Sequence, residues 1–178
     1  FVPRMAIGLV HYPIIDRERK IVATNVTNFD IHDIARASTV YGVDKYYIIH
    51  PMKEQLMFVE RILDHWRVGQ GAKFNPYRKT ALNPVRTSEN AEKAIEEWKK
   101  TLAPGEEPVI IATHARAVNG AQPLTFQGAR ELLWDQKRPV FVIFGTGFGL
   151  TDEFMKNCHY VLESIRSAPT RDYRHLSV

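Results

Sequence analysis

Three short segments concentrate the residue types that chemistry needs. The first is Asn25-Val26-Thr27-Asn28-Phe29-Asp30, followed by Asp33 and Arg36. Amides, carboxylates and a guanidinium gathered around one predicted helix start can hold an anion and orient a polar substrate. The same residues also suit plainer roles, with Asn28 or Asp30 capping the helix and Arg36 pairing with Asp33 three residues before it. The second segment is Phe144-Gly145-Thr146-Gly147-Phe148-Gly149-Leu150-Thr151. Glycines at alternate positions let the backbone approach a ligand and turn its N–H groups inward. The last glycine of the dinucleotide fingerprint and the Lys-Ser/Thr of a phosphate loop are missing, so neither nucleotide pattern applies. The plainer alternative is a tight strand-to-helix turn with Thr151 as the N-cap. The third segment is the tail, residues 162–166 and 171–178, rich in arginine and carrying His175. The seven histidines are scattered and none stands at metal-ligand spacing from His175, so no metal site is expected.

Elements must position these segments. Apolar runs without polar alternation, at residues 5–10, 45–50, 108–112 and 139–144, predict strands buried on both faces, as parallel strands are. Short strands are expected around Val85 and at 160–162. Helical spacing of apolar residues predicts helices over 30–41, 54–66 and 125–134, and one capped by Ser88 and running to about Leu102. Residues 69–86 are irregular, with two glycines, two prolines and the cluster Lys73, Phe74, Tyr77, Arg78, Lys79. That cluster is either an RNA contact or a solvated face. Alternating strands and helices imply an α/β fold with a parallel sheet, whose ligands bind at the carboxyl ends of strands. The loops that follow Val10, His50, Ala112, Phe144 and Leu162 are therefore the ones to watch.

A length of 178 residues suits one domain over residues 1–178. With 44% hydrophobic and 25% charged residues the chain is too apolar to be disordered. No apolar run approaches the length that spans a bilayer, which excludes a membrane-spanning role. The net charge of +4 favours anionic partners without naming one. A lone cysteine, Cys158, excludes an internal disulfide framework and suits a reducing, cytoplasmic setting. Pro3 and Arg4 interrupt the amino end where a secretory signal would be apolar.

Taken in order, the three segments resemble the signature motifs of the SPOUT superfamily, the knotted SAM-dependent RNA methyltransferases. Residues 25–43 look like the first motif, an asparagine-rich turn and a helix with an arginine, an alanine and a closing Gly-Val. Residues 140–150 look like the second, an apolar strand entering a glycine loop that ends Gly-Leu. Residues 171–178 look like the opening of the third, and Thr113-His114-Ala115-Arg116 falls where the superfamily has another cofactor-facing loop. The likeness is nearest to a small bacterial SPOUT family of RNA methyltransferases, some of which are fused behind a tRNA guanine-N1 methyltransferase. Thr146-Gly147 stands where the ribose-methylating branch usually carries an asparagine-glutamate pair, and His175 where an asparagine is common.

The resemblance implies a Rossmann-like SPOUT fold with a C-terminal trefoil knot, its last helix truncated at Val178, and a homodimer. It implies SAM held by Thr113, His114, Ala115, Phe144, Gly145, Thr146, Gly147, Gly149, Leu150, Leu162, Ile165, His175, Leu176 and Ser177. It implies RNA, with tRNA first, contacted by Arg116, Arg166, Arg171 and Arg174. Arg36 becomes the catalytic arginine, assisted by Asn28 and Asp30. A guanidinium is effectively always protonated, so Arg36 suits anchoring a phosphate or stabilising a developing alkoxide better than accepting a proton. The expected reaction is ribose 2′-O-methylation. The alternatives are guanine-N1 methylation, with Asp172 as the one acidic candidate, and a non-catalytic RNA-binding domain. An NAD enzyme ranks last because the second strand ends His50-Pro51 rather than in an acid.

Overall fold

The apolar runs do become strands buried between helices. The computed structural model describes residues 1–174 and Leu176. In chain order the elements are β1 (Met5–Val10), β2 (Ile14–Ile15), β3 (Ile21–Val22), α1 (Asn28–Val40), β4 (Lys45–Ile49), α2 (Lys53–Arg67), α3 (Gln70–Phe74) and α4 (Pro76–Leu82). There follow β5 (Val85–Ser88), α5 (Ala91–Lys99), β6 (Val109–Thr113), β7 (Pro123–Leu124), α6 (Phe126–Arg130), β8 (Val140–Gly145), α7 (Asp152–Lys156) and β9 (Tyr160–Leu162). Seven strands form one sheet in the order β5-β4-β1-β8-β6-β9-β7, and every neighbouring pair is parallel. β1 lies between β4 and β8 and pairs Val10 with both Ile49 and Gly145, which brings the carboxyl ends of β1, β4 and β8 level.

Each face of the sheet carries its own core. On one, Tyr47 stacks on Phe141 at 5.7 Å and Trp98 of α5 meets Phe141 edge-on at 5.8 Å. On the other, Ile31, Ile34 and Ala35 of α1 and Val59 and Leu63 of α2 pack on Tyr46 and Ile48. The indole of Trp98 donates to Asp44 at 2.9 Å, and Arg4 pairs with the same carboxylate at 2.7 Å. Burial works to raise the Asp44 pKa, yet the Trp98 and Arg4 hydrogen bonds hold it below its ordinary value.

Several local expectations are corrected. Thr27, not Asn28 or Asp30, caps α1: its hydroxyl accepts from Asp30 N while the Asp30 carboxylate accepts from Thr27 N, a reciprocal capping box. Ser88 closes β5, and Asn90 caps α5 by accepting from Lys93 N, because the strand pairs one residue further than its composition suggests. The irregular stretch holds two short helices, the second capped by Asn75 with Pro76 in its first turn. The helix expected over 125–134 is α6 running into one π-helical turn, Glu131–Asp135.

Candidate functional site

At the carboxyl ends of β6, β8 and β9 lies a cavity of about 460 Å³, within the range of about 300–1,000 Å³ usual for small-molecule sites. Ten of the predicted cofactor residues line it: Thr113, His114 and Ala115 after β6, Phe144, Gly145, Gly147 and Gly149 after β8, and Leu162, Ile165 and Leu176 after β9. Arg116 and Arg174, expected on the RNA side, line it as well. Sequence reasoning missed Phe126, while Phe148, Glu163 and Ser164 lay inside the predicted loops without being singled out. His175 and Ser177 lie outside the described residues.

Two predicted wall residues do something else. Leu150 is fully buried in the core with Met155 and Ile143, and bridges to Ile14. Thr146 turns its hydroxyl toward β1, donating to Val10 O at 3.2 Å and meeting the Thr24 hydroxyl. Arg166 and Arg171 are exposed on the segment after β9 and do not line the cavity.

The glycine loop is clamped between two neighbours. The β2–β3 hairpin braces it on one side, with Ile15 N donating to Gly149 O at 3.0 Å and Phe148 N donating to Ile15 O at 3.2 Å. The His114 loop braces it on the other. Gly149 has φ +109°, and a Cβ there would lie 2.8 Å from His114 Nε2. Gly147 has φ +57°, and its Cβ would meet Ile14 Cγ2 at 3.1 Å, so this position needs glycine for the hairpin rather than for the cavity.

His114 is the most constrained polar group of the wall. Arg116 N donates to its Nδ1 at 2.9 Å, which leaves the hydrogen of a neutral ring on Nε2. That Nε2 is buried and has no hydrogen-bond partner among the described residues. Burial first of all lowers the His114 pKa, so the ring stays neutral near pH 7. Thr113 donates to Ile143 O at 3.0 Å, and Glu163 accepts from Phe126 N at 2.7 Å, which fixes both side chains to the sheet edge and to α6.

A polar network joins this loop to the start of α1. His11 Nδ1 lies 3.0 Å from Thr24 Oγ1. His50 accepts from Met52 N on Nδ1 and donates from Nε2 to Thr24 O at 2.9 Å. Asp30, a catalytic candidate from sequence, is engaged in the capping box, and its carboxylate stands 3.9 Å from the buried His11 Nε2. Burial drives the His11 pKa down to about 4, against the pull of Asp30.

Asn28 and Arg36 are elsewhere. They line a second groove of about 590 Å³ between α1, α2 and α4 that shares no residue with the cavity. Of the plainer roles for Arg36, the pair with Asp33 does not form, and the side chain is exposed. Within the basic cluster Lys73, Phe74, Tyr77 and Lys79 are exposed, whereas Arg78 lies over the Trp66 ring at 4.4 Å. Among the described residues no cluster of His, Cys, Asp and Glu could hold a metal ion, and no helix is long and apolar enough to cross a membrane.

A family model described as SAM-dependent RNA methyltransferase matches residues 4–178. The chain is 41% identical over 171 residues to a tRNA (guanine-N(1)-)-methyltransferase of Oleidesulfovibrio alaskensis, covering 96% of this chain and 38% of that protein. It thus spans less than half the length of that relative. It is 34% identical over 172 residues to an uncharacterized protein of Aquifex aeolicus, covering 97% of this chain and 81% of that one. Its fold is similar to the SpoU methyltransferase AviRb of Streptomyces viridochromogenes, with a TM-score of 0.54 and 12% identity over 96% of this chain and 53% of that one.

Proposed function

Because the chain belongs to the SAM-dependent RNA methyltransferase family, we propose that it methylates a ribose 2′-hydroxyl of a structured RNA, with tRNA as the substrate class. The cavity residues fit the cofactor. Phe126, Phe148, Leu162 and Ile165 supply apolar walls for a nucleoside, and the backbone around Gly145 and Gly149, where a Cβ would clash with Leu150 and His114, supplies polar edges. The orphaned His114 Nε2–H supplies a buried donor for an oxygen or ring nitrogen. When bound, SAM supplies a methyl carbon activated by its sulfonium. The chain's own contribution is to align the hydroxyl with that carbon and exclude water.

The observation that carries the ribose reading is Arg36, a guanidinium of the first motif that has no ion pair among the described residues and lines a groove with Asn28. In that role it anchors the phosphate next to the target sugar or stabilises the alkoxide as it forms. Since Arg36 and the cofactor cavity share no lining residue, we read the working unit as a homodimer in which two copies complete a site. Single-domain organisation, a trefoil knot completed after β9 and a cytoplasmic location belong to the same reading.

A second reading, guanine-N1 methylation, is favoured by Glu163, a carboxylate on the cavity wall, and by the name of the Oleidesulfovibrio relative. Asp172, the acid expected from sequence, is exposed and pairs with Arg174 at 3.2 Å. Nuclease digestion and mass analysis of tRNA after incubation with SAM separates the two. A methyl group on ribose is the expected product, and one on guanine overturns the ribose reading.

A further inference from the structure

The α1–α2–α4 groove carries more charge and aromatic surface than one catalytic arginine explains. Arg61 and Arg78 join Arg36 on its walls, against a single carboxylate, Asp33. None of the three guanidinium groups forms an ion pair among the described residues. Arg78 lies over the Trp66 ring at 4.4 Å, and its Nε is buried without a hydrogen-bond partner among the described residues. His32 meets the edge of the same indole at 6.1 Å, and its Nδ1 is likewise buried and unpartnered. Burial first, then the Arg78 and Arg36 charges, lower the His32 pKa, so the ring offers neutral hydrogen bonding between cations. Two apolar rings on the rim, Phe29 at 76% and Phe58 at 41% exposure, face water instead of the core.

Unpaired planar cations with buried, unmet donors call for an anion, and guanidinium forks match phosphate oxygens. Exposed rings beside them match the face of an unstacked base. An acidic protein segment would satisfy the charges and leave the rings in water. We propose that this groove, which shares no lining residue with the cofactor cavity of the same copy, is an RNA-binding subsite beside Arg36 that holds one unstacked nucleotide flanking the target, with its phosphate on Arg61 and Arg78 and its base against Phe58. The inference rests on the reading that the substrate is RNA.

The test measures binding of a short single-stranded oligoribonucleotide and of an unmodified tRNA transcript by fluorescence anisotropy across a salt series. Parent, Arg61→Ala and the double variant Arg61→Ala/Arg78→Ala are compared, with SAM titration and sedimentation on each. The double variant should lose about tenfold or more in RNA affinity, and its log–log salt slope should shrink by roughly 0.7 to 0.9 for the one phosphate that the two arginines share. SAM affinity and assembly state should not change. Arg61 is exposed, so Arg61→Ala alone keeps the fold and should show a smaller loss of the same kind. Equal RNA affinity and slope in parent and variants overturns the subsite while leaving the RNA reading intact. A variant that loses RNA only because the dimer separates makes the groove an interface between copies and also overturns it. A parent that binds neither RNA overturns the proposed function and the subsite together.

Discussion

The hydroxyls of Thr24 and Thr146 share a hydrogen bond across 122 residues of sequence. One belongs to the segment that leads into α1, the other to the glycine loop after β8. The bond ties the first motif to the second through His11 and Val10 O. Thr146→Val removes this link and strands buried polar groups, at a cost of about 1–3 kcal/mol. The expected outcome is a lower urea midpoint together with a severalfold weaker SAM affinity, with both recovered in Thr146→Ser, which keeps the hydroxyl. Loss of stability with unchanged SAM affinity would show that the link does not hold the loop in place.

His11 sets a pH dependence. Its pKa is about 4 in the native chain and about 6.5 in an unfolded one. Below pH 6.5 the unfolded chain takes up a proton that the native state refuses, so stability is complete above that pH and falls as pH drops toward 4. The full effect of this one ring is roughly 3 kcal/mol. His32, His50 and His114 are lowered too and act in the same direction. Urea unfolding at pH 7 and pH 5 should show a clear loss for the parent and a smaller one for His11→Asn. Equal losses would place the titration elsewhere.

Arg36→Ala should lower turnover by about a hundredfold or more, the scale for removing one donor to a developing negative charge. SAM affinity should stay at the parent value, since Arg36 lies in the groove and not in the cavity. Arg36→Lys keeps the charge without the fork and should recover only part of the rate. Steady-state kinetics with tRNA and SAM titration on the same preparations check the split. Unchanged turnover in Arg36→Ala returns Arg36 to the surface.

The long strands were legible because residues such as those in Val-Phe-Val-Ile-Phe leave no polar face, a pattern that only a two-sided sheet tolerates. The cavity was legible for the same reason: strand ends locate loops, and three of the five loops named from sequence converge there. The β2–β3 hairpin was not, since strands of two residues have no period to read. Without it Thr146 and Leu150 look like cavity wall, when the hairpin draws one toward β1 and buries the other. The resemblance assigned Arg36 to the reacting centre, but sequence carries no distance between α1 and β8. The strand order sets α1 and α2 together on one face with the groove between them and α4, so the proposed reading needs a second copy to bring Arg36 to the methyl group. Asn75-Pro76 signalled a helix start that the surrounding glycines obscured.

Methyl transfer stands or falls on cofactor binding, and titration calorimetry of SAM into the isolated chain reads it directly. The parent should bind SAM saturably. Gly149→Val, which forces a branched side chain into a φ of +109° with its Cβ 2.8 Å from His114 Nε2, should bind about tenfold or more weakly while circular dichroism stays near that of the parent. A folded parent that takes up no SAM, or a Gly149→Val variant that binds it equally well, would contradict the assignment of this cavity to the cofactor.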